Sequence, residues 1–329
     1  MTSLQKLKAI PLPGKLLILQ FIWVIPYIFL TNYLERSLLP FRLLCYTQSD
    51  FLAVNEPLRK NLDSCIYHYF PNRLSDPKCS LNASIGSIND PTLPRGFEKV
   101  VVVRSAPGSV DYRNYIRSTW KPTLPADVPV VFVTGASLKY DLASEANEYG
   151  DILTLDFIDS YKNLTLKMMA TYGYFLKYES MKQVVVINDD TIVNATALII
   201  DSESTSNHPS YMIGKVSRGY PRLFFPWLLW HVPGSMYKHK CYPPFVQGSS
   251  FIISRAAMTS LLNHICQFPF VHLDDVLMGI MTNCLNIRLI HREGFDRHVL
   301  DVFSVFHYQY SRYTADEMTV LWGKIRHLL

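Results

Sequence analysis

The chain has 329 residues, of which 49% are hydrophobic and 18% are charged, and this composition excludes an intrinsically disordered protein. It is long enough for one large α/β domain with an accessory segment. Lysine and arginine total 32 against 27 aspartate and glutamate residues, and the net charge of +5 is too small and too scattered to indicate a nucleic-acid partner.

An apolar segment near the amino terminus predicts a membrane anchor. Residues 16–34 come close to the roughly 20 residues that a membrane-spanning helix needs. Three lysines precede the segment, which predicts a cytoplasmic amino terminus. A cleaved signal peptide is the alternative, but the bulky and charged residues 32–36 do not resemble a cleavage site. We expect a cytoplasmic tail at 1–15, the anchor at 16–34, an irregular, proline-containing stem at 35–96 and a folded lumenal domain at 97–329.

Cysteines and possible glycosylation sites favour the lumen of the secretory pathway. The six cysteines are an even number that can pair in an oxidising compartment, although the sequence does not show which ones pair. Three asparagines match the N-glycosylation pattern, namely Asn82, Asn163 and Asn194.

Strand and helix patterns alternate along the folded domain. Strands are predicted at 100–103, 128–133, 152–155 and 184–187, and helices at 111–120, 138–148 and 164–178. This alternation predicts an open parallel sheet. The segment 209–244 is rich in Pro, Trp and Tyr and lacks a period, so we expect loops that build an acceptor groove. Within it, Trp227 and Trp230 either stack on a sugar or form a buried aromatic cluster.

The strand at 184–187 is followed directly by Asn188, Asp189 and Asp190. α/β sheets bind their ligands beyond the carboxyl ends of such strands. Adjacent carboxylates are hard oxygen ligands suited to Mg²⁺ or Mn²⁺ carrying a phosphate. A strand followed by an Asx turn is the alternative.

Two longer motifs resemble the lumenal β-1,3-glycosyltransferase family, which includes β-1,3-galactosyltransferases and β-1,3-N-acetylglucosaminyltransferases. Residues 113–120 match Arg-x-x-Ile-Arg-x-Thr-Trp, and residues 156–167 match Asp-Phe-x-Asp-x-Tyr-x-Asn-Leu-Thr-x-Lys. Residues 242–254, 273–279 and 307–322 are similar to three further family segments, with residues 308–313 departing from the family spacing. The resemblance implies a GT-A-like, nucleotide-sugar-binding α/β fold with an open sheet.

The resemblance also implies roles for individual residues. Asp190 takes the metal-binding position of the family's three-Asp motif, and His307 is implied to bind the metal or the diphosphate, with a packing or surface role as the alternative. Asn188 replaces the first Asp of that motif, and the lost charge implies a lower metal affinity. Asp275 is the implied catalytic base, which removes a proton from the acceptor hydroxyl. Asp274 instead caps a helix in the alternative interpretation.

Substrate contacts are implied for two further sets of residues. The nucleotide-sugar-binding set is Arg113, Arg117, Lys167, Asn188 and Asp189, and the acceptor-binding set is Tyr242, Gly248, Ser249 and Asp274. Guanidinium groups pair well with phosphates, but salt bridges within the protein are the alternative for both arginines.

The implied activity is an inverting, metal-dependent transfer of a hexose from a UDP-sugar to the 3-hydroxyl of an acceptor glycan on a glycoprotein or glycolipid. Galactose is the expected sugar, Mn²⁺ or Mg²⁺ the expected cofactor, and the Golgi membrane the expected location. An N-acetylglucosaminyl- or N-acetylgalactosaminyltransferase is the alternative within the family. Rivals of other classes are an inactive glycan-binding relative and a nucleotide-sugar hydrolase. The sequence does not predict an oligomeric state.

Overall fold

The computed structural model describes residues 13–14, 18, 22, 45, 56–72, 79, 85–203, 208–223, 226–308 and 311–328. The predicted anchor at 16–34 lies outside these residues except for positions 18 and 22. Within the described ranges, no helix has both the length and the apolar character that crossing a bilayer requires.

Strands and helices alternate through most of the described chain. The strands are β1 Ser87–Asn89, β2 Lys99–Arg104, β3 Val130–Ala136, β4 Ile152–Ile158, β5 Gln183–Asn188, β6 Thr191–Val193, β7 Tyr211–Ser217, β8 Phe245–Ser254, β9 Arg288–His291 and β10 Val305–His307. The α-helices are α1 Glu56–Arg59, α2 Leu62–Tyr69, α3 Val110–Ser118, α4 Ala143–Tyr149, α5 Leu164–Phe175, α6 Ala195–Glu203, α7 Arg255–His264, α8 Asp274–Cys284 and α9 Ala315–Ile325.

The main sheet has eight strands in the order β1-β4-β3-β2-β5-β8-β7-β9. Its centre, from β4 to β5, is parallel, but β8 runs antiparallel to β5, β7 antiparallel to β8, and β1 antiparallel to β4. The predicted parallel arrangement is therefore confirmed for the four strands on which it was based, and β7 and β9 also pair in parallel, but the complete sheet is mixed. A separate two-stranded sheet pairs β6 with β10. This mixed α/β architecture with a central open sheet fits the predicted GT-A-like fold.

Two hydrophobic layers cover the sheet. The apolar run in β2 is buried along its whole length, as expected of a central strand that is covered on both faces. Side chains of α2, α5, α7 and α8 form one layer of the core, and side chains of α3 and α9 belong to the other.

Most predicted elements are confirmed, with shifted boundaries. The strands predicted at 100–103 and 184–187 lie within β2 and β5. The helix predicted at 138–148 begins only at Ala143, because the side chains of Ser137 and Asp141 accept backbone N–H groups and form turns. In the segment 209–244, β7 forms where only loops were expected, because its residues 211–213 are β-prone and buried in the sheet.

The folded unit begins before residue 97, inside the segment predicted as a stem. Side chains of α2, including Cys65 and Ile66, are fully buried in the core, and β1 extends the sheet. The six cysteines pair as Cys45–Cys241, Cys65–Cys284 and Cys79–Cys266. These bridges fasten the early part of the chain to the later half, so its irregular composition does not make it a free spacer.

Removing the Cys65–Cys284 bridge with Cys65→Ala and Cys284→Ala should lower the free energy of unfolding by about 2–5 kcal/mol. The bridge joins α2 to α8, and both cysteines are buried, so the variant loses core contacts as well as the cross-link. Urea denaturation monitored by circular dichroism measures the change.

The Cys79–Cys266 bridge is the matched control, because it closes a span of 187 residues, close to the 219 of Cys65–Cys284, while Cys266 is exposed. Replacing this pair with alanine should lower the free energy of unfolding by less. Both bridges restrict the unfolded chain similarly, so the difference reports the buried contacts that only the Cys65–Cys284 pair loses. An equal or larger loss from the control pair would contradict the importance of the buried contacts.

Candidate active site

Four segments meet at the edge of the sheet where the central parallel strands end. Arg104 ends β2 and lies in register with Asn188, the last residue of β5. Because β8 is antiparallel to β5, its early residues Gly248 and Ser249 reach the same edge. The helix α8 begins there with Asp274, so residues from distant parts of the sequence lie together.

Arg104, which the sequence interpretation missed, connects three of these segments. Its Nε and Nη2 donate to Asn188 Oδ1 at 3.1 and 2.7 Å, and its Nη1 pairs with Asp274 Oδ2 at 2.6 Å. Nη2 also donates to the carbonyl of Gly248. Arg104 and Asp274 are both buried, where an unpaired charge would be costly. The available signal was a charged residue at the end of the apolar run 100–103. No signal in the sequence indicated the pairing of β2 with β5, on which the contacts of Arg104 depend.

Asp189 is held by the protein on both carboxylate oxygens. Ser105 Oγ donates to Oδ2 at 3.1 Å, and Arg312 Nη2 donates to Oδ1 at 2.6 Å. Burial raises the pKa of Asp189; the Arg312 charge opposes this shift, and the Asp190 charge adds to it. Asp189 therefore acts mainly within the protein, and Asp190 is the more accessible of the two carboxylates.

His307 lies beside Asp190 because β10 pairs with β6, which places it opposite Thr191. Its Nε2 is 3.6 Å from Asp190 Oδ1, and its Nδ1 is 2.8 Å from Oδ1 of Asp296. Asp296, also missed in the sequence, is buried and accepts a hydrogen bond from the Ser249 hydroxyl. Burial lowers the pKa of His307, but the Asp296 hydrogen bond and the Asp190 charge outweigh it and raise the pKa.

The Asp190–His307 pair fits a divalent metal ion. Asp190 Oδ1 and His307 Nε2 lie 3.6 Å apart, and a carboxylate oxygen and an imidazole nitrogen are both ligand types that such ions accept. The bond from His307 to Asp296 is the outer contact that orients a metal-binding imidazole. In the described ranges, no group of three or more His, Cys, Asp or Glu residues could hold an ion. The acidic corner, formed by Asp189, Asp190 and His307, thus offers two protein ligands, Asp190 and His307, and would leave other positions to phosphate or water.

Asp275 lies on the other side of the Arg104 network. The backbone N–H of Gly248 donates to its Oδ2 at 3.3 Å, and that of Val276 donates to its Oδ1 at 2.8 Å. Burial, reinforced by the neighbouring charge of Asp274, raises the pKa of Asp275 to about 7. A carboxyl group that titrates near neutral pH is suited to general-base catalysis.

Two glycines allow α8 to approach β8. A Cβ atom on Gly248 would lie 3.3 Å from Asp275 Oδ2, and a Cβ atom on Gly279 would lie 2.3 Å from the Cβ atom of Phe245. Gly279, the last residue of the family-like segment 273–279, therefore makes room for β8. In the described contacts, Gly248 lies against Asp275, the residue implied to be the base.

Two residues of the predicted acceptor-binding set are occupied or buried. Tyr242 is buried, and its hydroxyl has no hydrogen-bond partner among the described residues. Asp274 does not cap α8, since the N-cap is Leu273 without a side-chain bond, and the Asp274 carboxylate pairs with Arg104. The capping alternative for Asp274 is therefore wrong.

Arg113 and Arg117, predicted to contact the nucleotide, form salt bridges within the protein instead. Arg113 is fully buried and makes five hydrogen bonds to protein atoms, two of them to Glu145. Arg117 pairs with Glu145 and with Asp151, which precedes β4 at the opposite edge of the sheet. All side-chain N–H groups of Arg113 are bonded to protein, and Arg117 is held by Glu145 and Asp151, so both arginines take the structural role that was the alternative to nucleotide binding.

The motif at 113–120 supports the acidic corner through the backbone. The hydroxyl of Tyr115 and Nε1 of Trp120 both donate to the carbonyl of Thr191, at 3.0 and 3.1 Å. Thr191 follows Asp190 directly, so these two bonds fix the turn that carries the Asp190 carboxylate.

The motif at 156–167 is also used internally. Lys167 is buried and donates to Asp159 at 2.7 Å and to the carbonyl of Ser105 at 3.0 Å, so it is not exposed to a nucleotide. Burial lowers the pKa of Lys167, and Asp159 partly opposes that shift. Thr165 donates to the carbonyl of Val271 at 2.6 Å, which fixes the loop that precedes α8.

Tyr161 and Trp230 form an aromatic rim near Asp275, and Trp227 precedes Trp230 in the same segment. Trp227 and Trp230 are 67% and 37% exposed, so the buried-cluster interpretation is wrong. Tyr161 hydrogen-bonds to Trp230; burial raises the pKa of Tyr161, and the charge of Asp275 adds to the shift. The rim therefore offers exposed aromatic faces within electrostatic reach of Asp275.

The predicted glycosylation sites fall in different surroundings. Asn163 Nδ2 donates to the carbonyl of Ile158 at 2.9 Å, and Asn194 Oδ1 accepts from the N–H of Ala197 at 3.1 Å. Asn82 lies outside the described residues. Glycosylation at all three stays a prediction.

Comparisons with known proteins agree with the motifs. A family model described as Galactosyltransferase matches residues 111–293, more than half of the chain. Lactosylceramide 1,3-N-acetyl-beta-D-glucosaminyltransferase A of Xenopus laevis is 27% identical over 205 residues, which cover 57% of this chain and 54% of that protein. The human lactosylceramide enzyme is 28% identical over 205 residues, with the same coverage.

A relative of another name matches a longer stretch. UDP-GlcNAc:betaGal beta-1,3-N-acetylglucosaminyltransferase 7 of Rattus norvegicus is 28% identical over 251 residues, which cover 69% of this chain and 58% of that protein. The chain spans about half the length of the curated relatives it matches.

Gly279→Ala should lower the free energy of unfolding by about 1–3 kcal/mol, because the added methyl group meets Phe245 and the Pro244 carbonyl. Gly323→Ala on α9 is the control, since nothing lies within 4 Å of the added atom. This control should be stabilising by about 0.5–1 kcal/mol. Urea denaturation compares the two, and equal effects would contradict the close approach of α8 to β8.

Proposed function

We propose that this chain transfers a sugar from a UDP-sugar to the 3-hydroxyl of an acceptor glycan. The chain belongs to the galactosyltransferase family, and its resemblance to the β-1,3-glycosyltransferases is thereby confirmed. The observation that carries this proposal is that Arg104, bonded to Asn188 and Asp274, joins the two segments that carry Asp190 and Asp275. Asp190 lies just beyond the end of β5, and Asp275 lies at the start of α8 with a pKa of about 7.

Asp275 is the proposed general base. Its carboxylate accepts the proton of the acceptor hydroxyl while that oxygen attacks the anomeric carbon of the donor. The bond between the anomeric carbon and UDP breaks, and its electrons leave with the diphosphate. Direct displacement of this kind inverts the configuration at the anomeric carbon. The hydrogen bonds from Gly248 and Val276 hold Asp275 in one orientation for this step.

The donor side is the acidic corner. Asp190 Oδ1 and His307 Nε2 are the atoms that would hold Mn²⁺ or Mg²⁺, with Asp296 orienting the imidazole. When bound, such an ion would neutralise negative charge on the departing diphosphate. Asn188 contacts Arg104, so its proposed contribution is to position the corner.

Acceptor recognition is proposed for the aromatic rim of Trp230 and Tyr161, where a sugar ring can stack on exposed aromatic faces. Galactose is the donor sugar expected from the motifs, whereas the relatives are named as N-acetylglucosaminyltransferases. A panel of UDP-galactose, UDP-N-acetylglucosamine and UDP-N-acetylgalactosamine, with lactosylceramide and soluble lactosides as acceptors, decides among them.

The protein is proposed to act in the Golgi lumen as a single-pass type II membrane protein. The three disulfides support an oxidising compartment, because such bridges are rare in the cytosol. The apolar segment at 16–34 supports the anchor.

Asp275→Asn should reduce kcat for transfer by about 10²- to 10⁴-fold, because an amide cannot accept the acceptor proton. In the native enzyme, kcat/KM should rise with pH and level off above about pH 7, since only the ionised carboxylate is a base. Transfer assays across pH 5–9 measure both. Full activity of the variant, or an unchanged pH profile in it, would remove Asp275 from this role.

Asp301→Asn is the control for the loss of a carboxylate, since Asp301 pairs with Arg297 in an exposed ion pair. Its kcat and pH profile should match those of the native enzyme.

Asp190→Asn should remove most of the gain in UDP affinity that Mn²⁺ gives to the native protein, because the variant loses a charged ligand. Calorimetric titration of UDP with Mn²⁺ and with EDTA measures this gain, with Asp301→Asn again as the control. An inactive glycan-binding relative would show no metal-dependent UDP binding even in its native form. An unchanged gain in the variant would refute the metal-binding role of Asp190.

A further inference from the structure

Arg312 places a permanent positive charge against both carboxylates of the acidic corner. Its Nη2 donates to Asp189 Oδ1 at 2.6 Å, and its Nε lies 3.5 Å from Asp190 Oδ2. Arg312 belongs to the segment 308–313, which departs from the family spacing, and it lies beyond residues 111–293 that the family model matches. It is therefore a feature of this chain that the family match does not account for.

The chain around Arg312 is held on both sides. The hydroxyl of Tyr112 donates to the carbonyl of Tyr313 at 2.6 Å, and the ring of Tyr313 stacks on Tyr308 with 4.9 Å between centroids. The next residue, Thr314, caps α9 through a capping box. The guanidinium of Arg312 lies over the Tyr112 ring, 4.4 Å from its centroid. The side chain is thus positioned in advance, so binding a ligand there costs little conformational entropy.

Arg312 differs from the two arginines that the sequence motif suggested. Arg113 is fully buried and has all five N–H groups bonded to protein, and Arg117 is only 10% exposed. The side chain of Arg312 is 50% exposed. A guanidinium in this state can keep its bond to Asp189 and still present N–H groups to a phosphate.

The acidic corner with a bound diphosphate would carry more negative charge than a divalent ion neutralises, so a further positive group is favourable there. Asp189 and Asp190 bring two negative charges and Asn188 brings none, while a bound diphosphate adds further negative charge. A divalent ion alone does not neutralise this total. Arginine contributes a charge that is present at every physiological pH.

We propose that Arg312 binds the diphosphate of the donor and shares its neutralisation with the divalent ion. The inference rests on the proposed function and deepens it by adding a donor-binding residue. Because Arg312 already neutralises part of the corner before the donor arrives, it weakens the binding of a free divalent ion there. The ion and the nucleotide therefore bind more favourably together than the ion does alone.

Calorimetric titrations of the full chain in detergent test the proposal with two probes, UDP and Mn²⁺ alone. Arg312→Gln should lower UDP affinity by about 10- to 100-fold, both with Mn²⁺ and with EDTA, since it removes a hydrogen bond between charged groups. The same variant should bind Mn²⁺ alone roughly 3- to 10-fold more tightly, because a competing positive charge is gone. Arg312→Lys keeps the charge without the bidentate geometry and should show an intermediate loss of UDP affinity.

Arg297→Gln is the matched control, since Arg297 pairs with the exposed Asp301 and this change removes the same charge. Its affinities for UDP and Mn²⁺ should equal those of the native protein.

The outcomes separate the inference from the proposed function. Native UDP affinity in Arg312→Gln, with or without a lower melting temperature, would mean that Arg312 only neutralises Asp189, and this overturns the inference. A native protein that binds UDP in neither Mn²⁺ nor EDTA would overturn the proposed function, and the inference with it.

Discussion

The buried guanidinium of Arg104 is the interaction on which the candidate active site depends. It joins the ends of β2 and β5 to the start of α8 through Asn188 and Asp274. Asn188 precedes the acidic corner, and Asp274 precedes the proposed base. The side chain of Arg104 therefore sets the position of the acidic corner relative to the proposed base. A buried charge needs its partners, and their removal typically costs about 3–5 kcal/mol. This cost keeps the two halves of the site in a fixed relation.

The motifs that carry the family resemblance act through the backbone. Tyr115 and Trp120 hold the carbonyl of Thr191, and Thr165 holds that of Val271. These bonds position the turn after Asp190 and the loop before α8. Aromatic and hydroxyl groups thereby hold the backbone beside the two candidate carboxylates. In this protein, the residues that make a motif recognisable largely position the backbone of the candidate site.

The sequence predicted the parts of the site that depend on local pattern. An apolar strand followed by acidic residues located Asp190, and a motif located Asp275. It did not predict Arg104, because its ion pair spans 170 positions and depends on which strands are neighbours. Asp296 and Arg312 lie in irregular segments without a local signal. The direction of β8 was also not predictable, because a strand that returns antiparallel shows no periodicity in its sequence that distinguishes it from a parallel strand.

Cys65 is synthesised well before Cys284, since 219 positions separate them. The bridge between them fastens α8, which begins with Asp274, so that helix gains its covalent support only after most of the polypeptide has been translated and an oxidant has acted. Cross-linking of this part of the core is thus tied to the thiol chemistry of the compartment in which the chain folds. A nascent or reduced chain lacks this covalent support for α8.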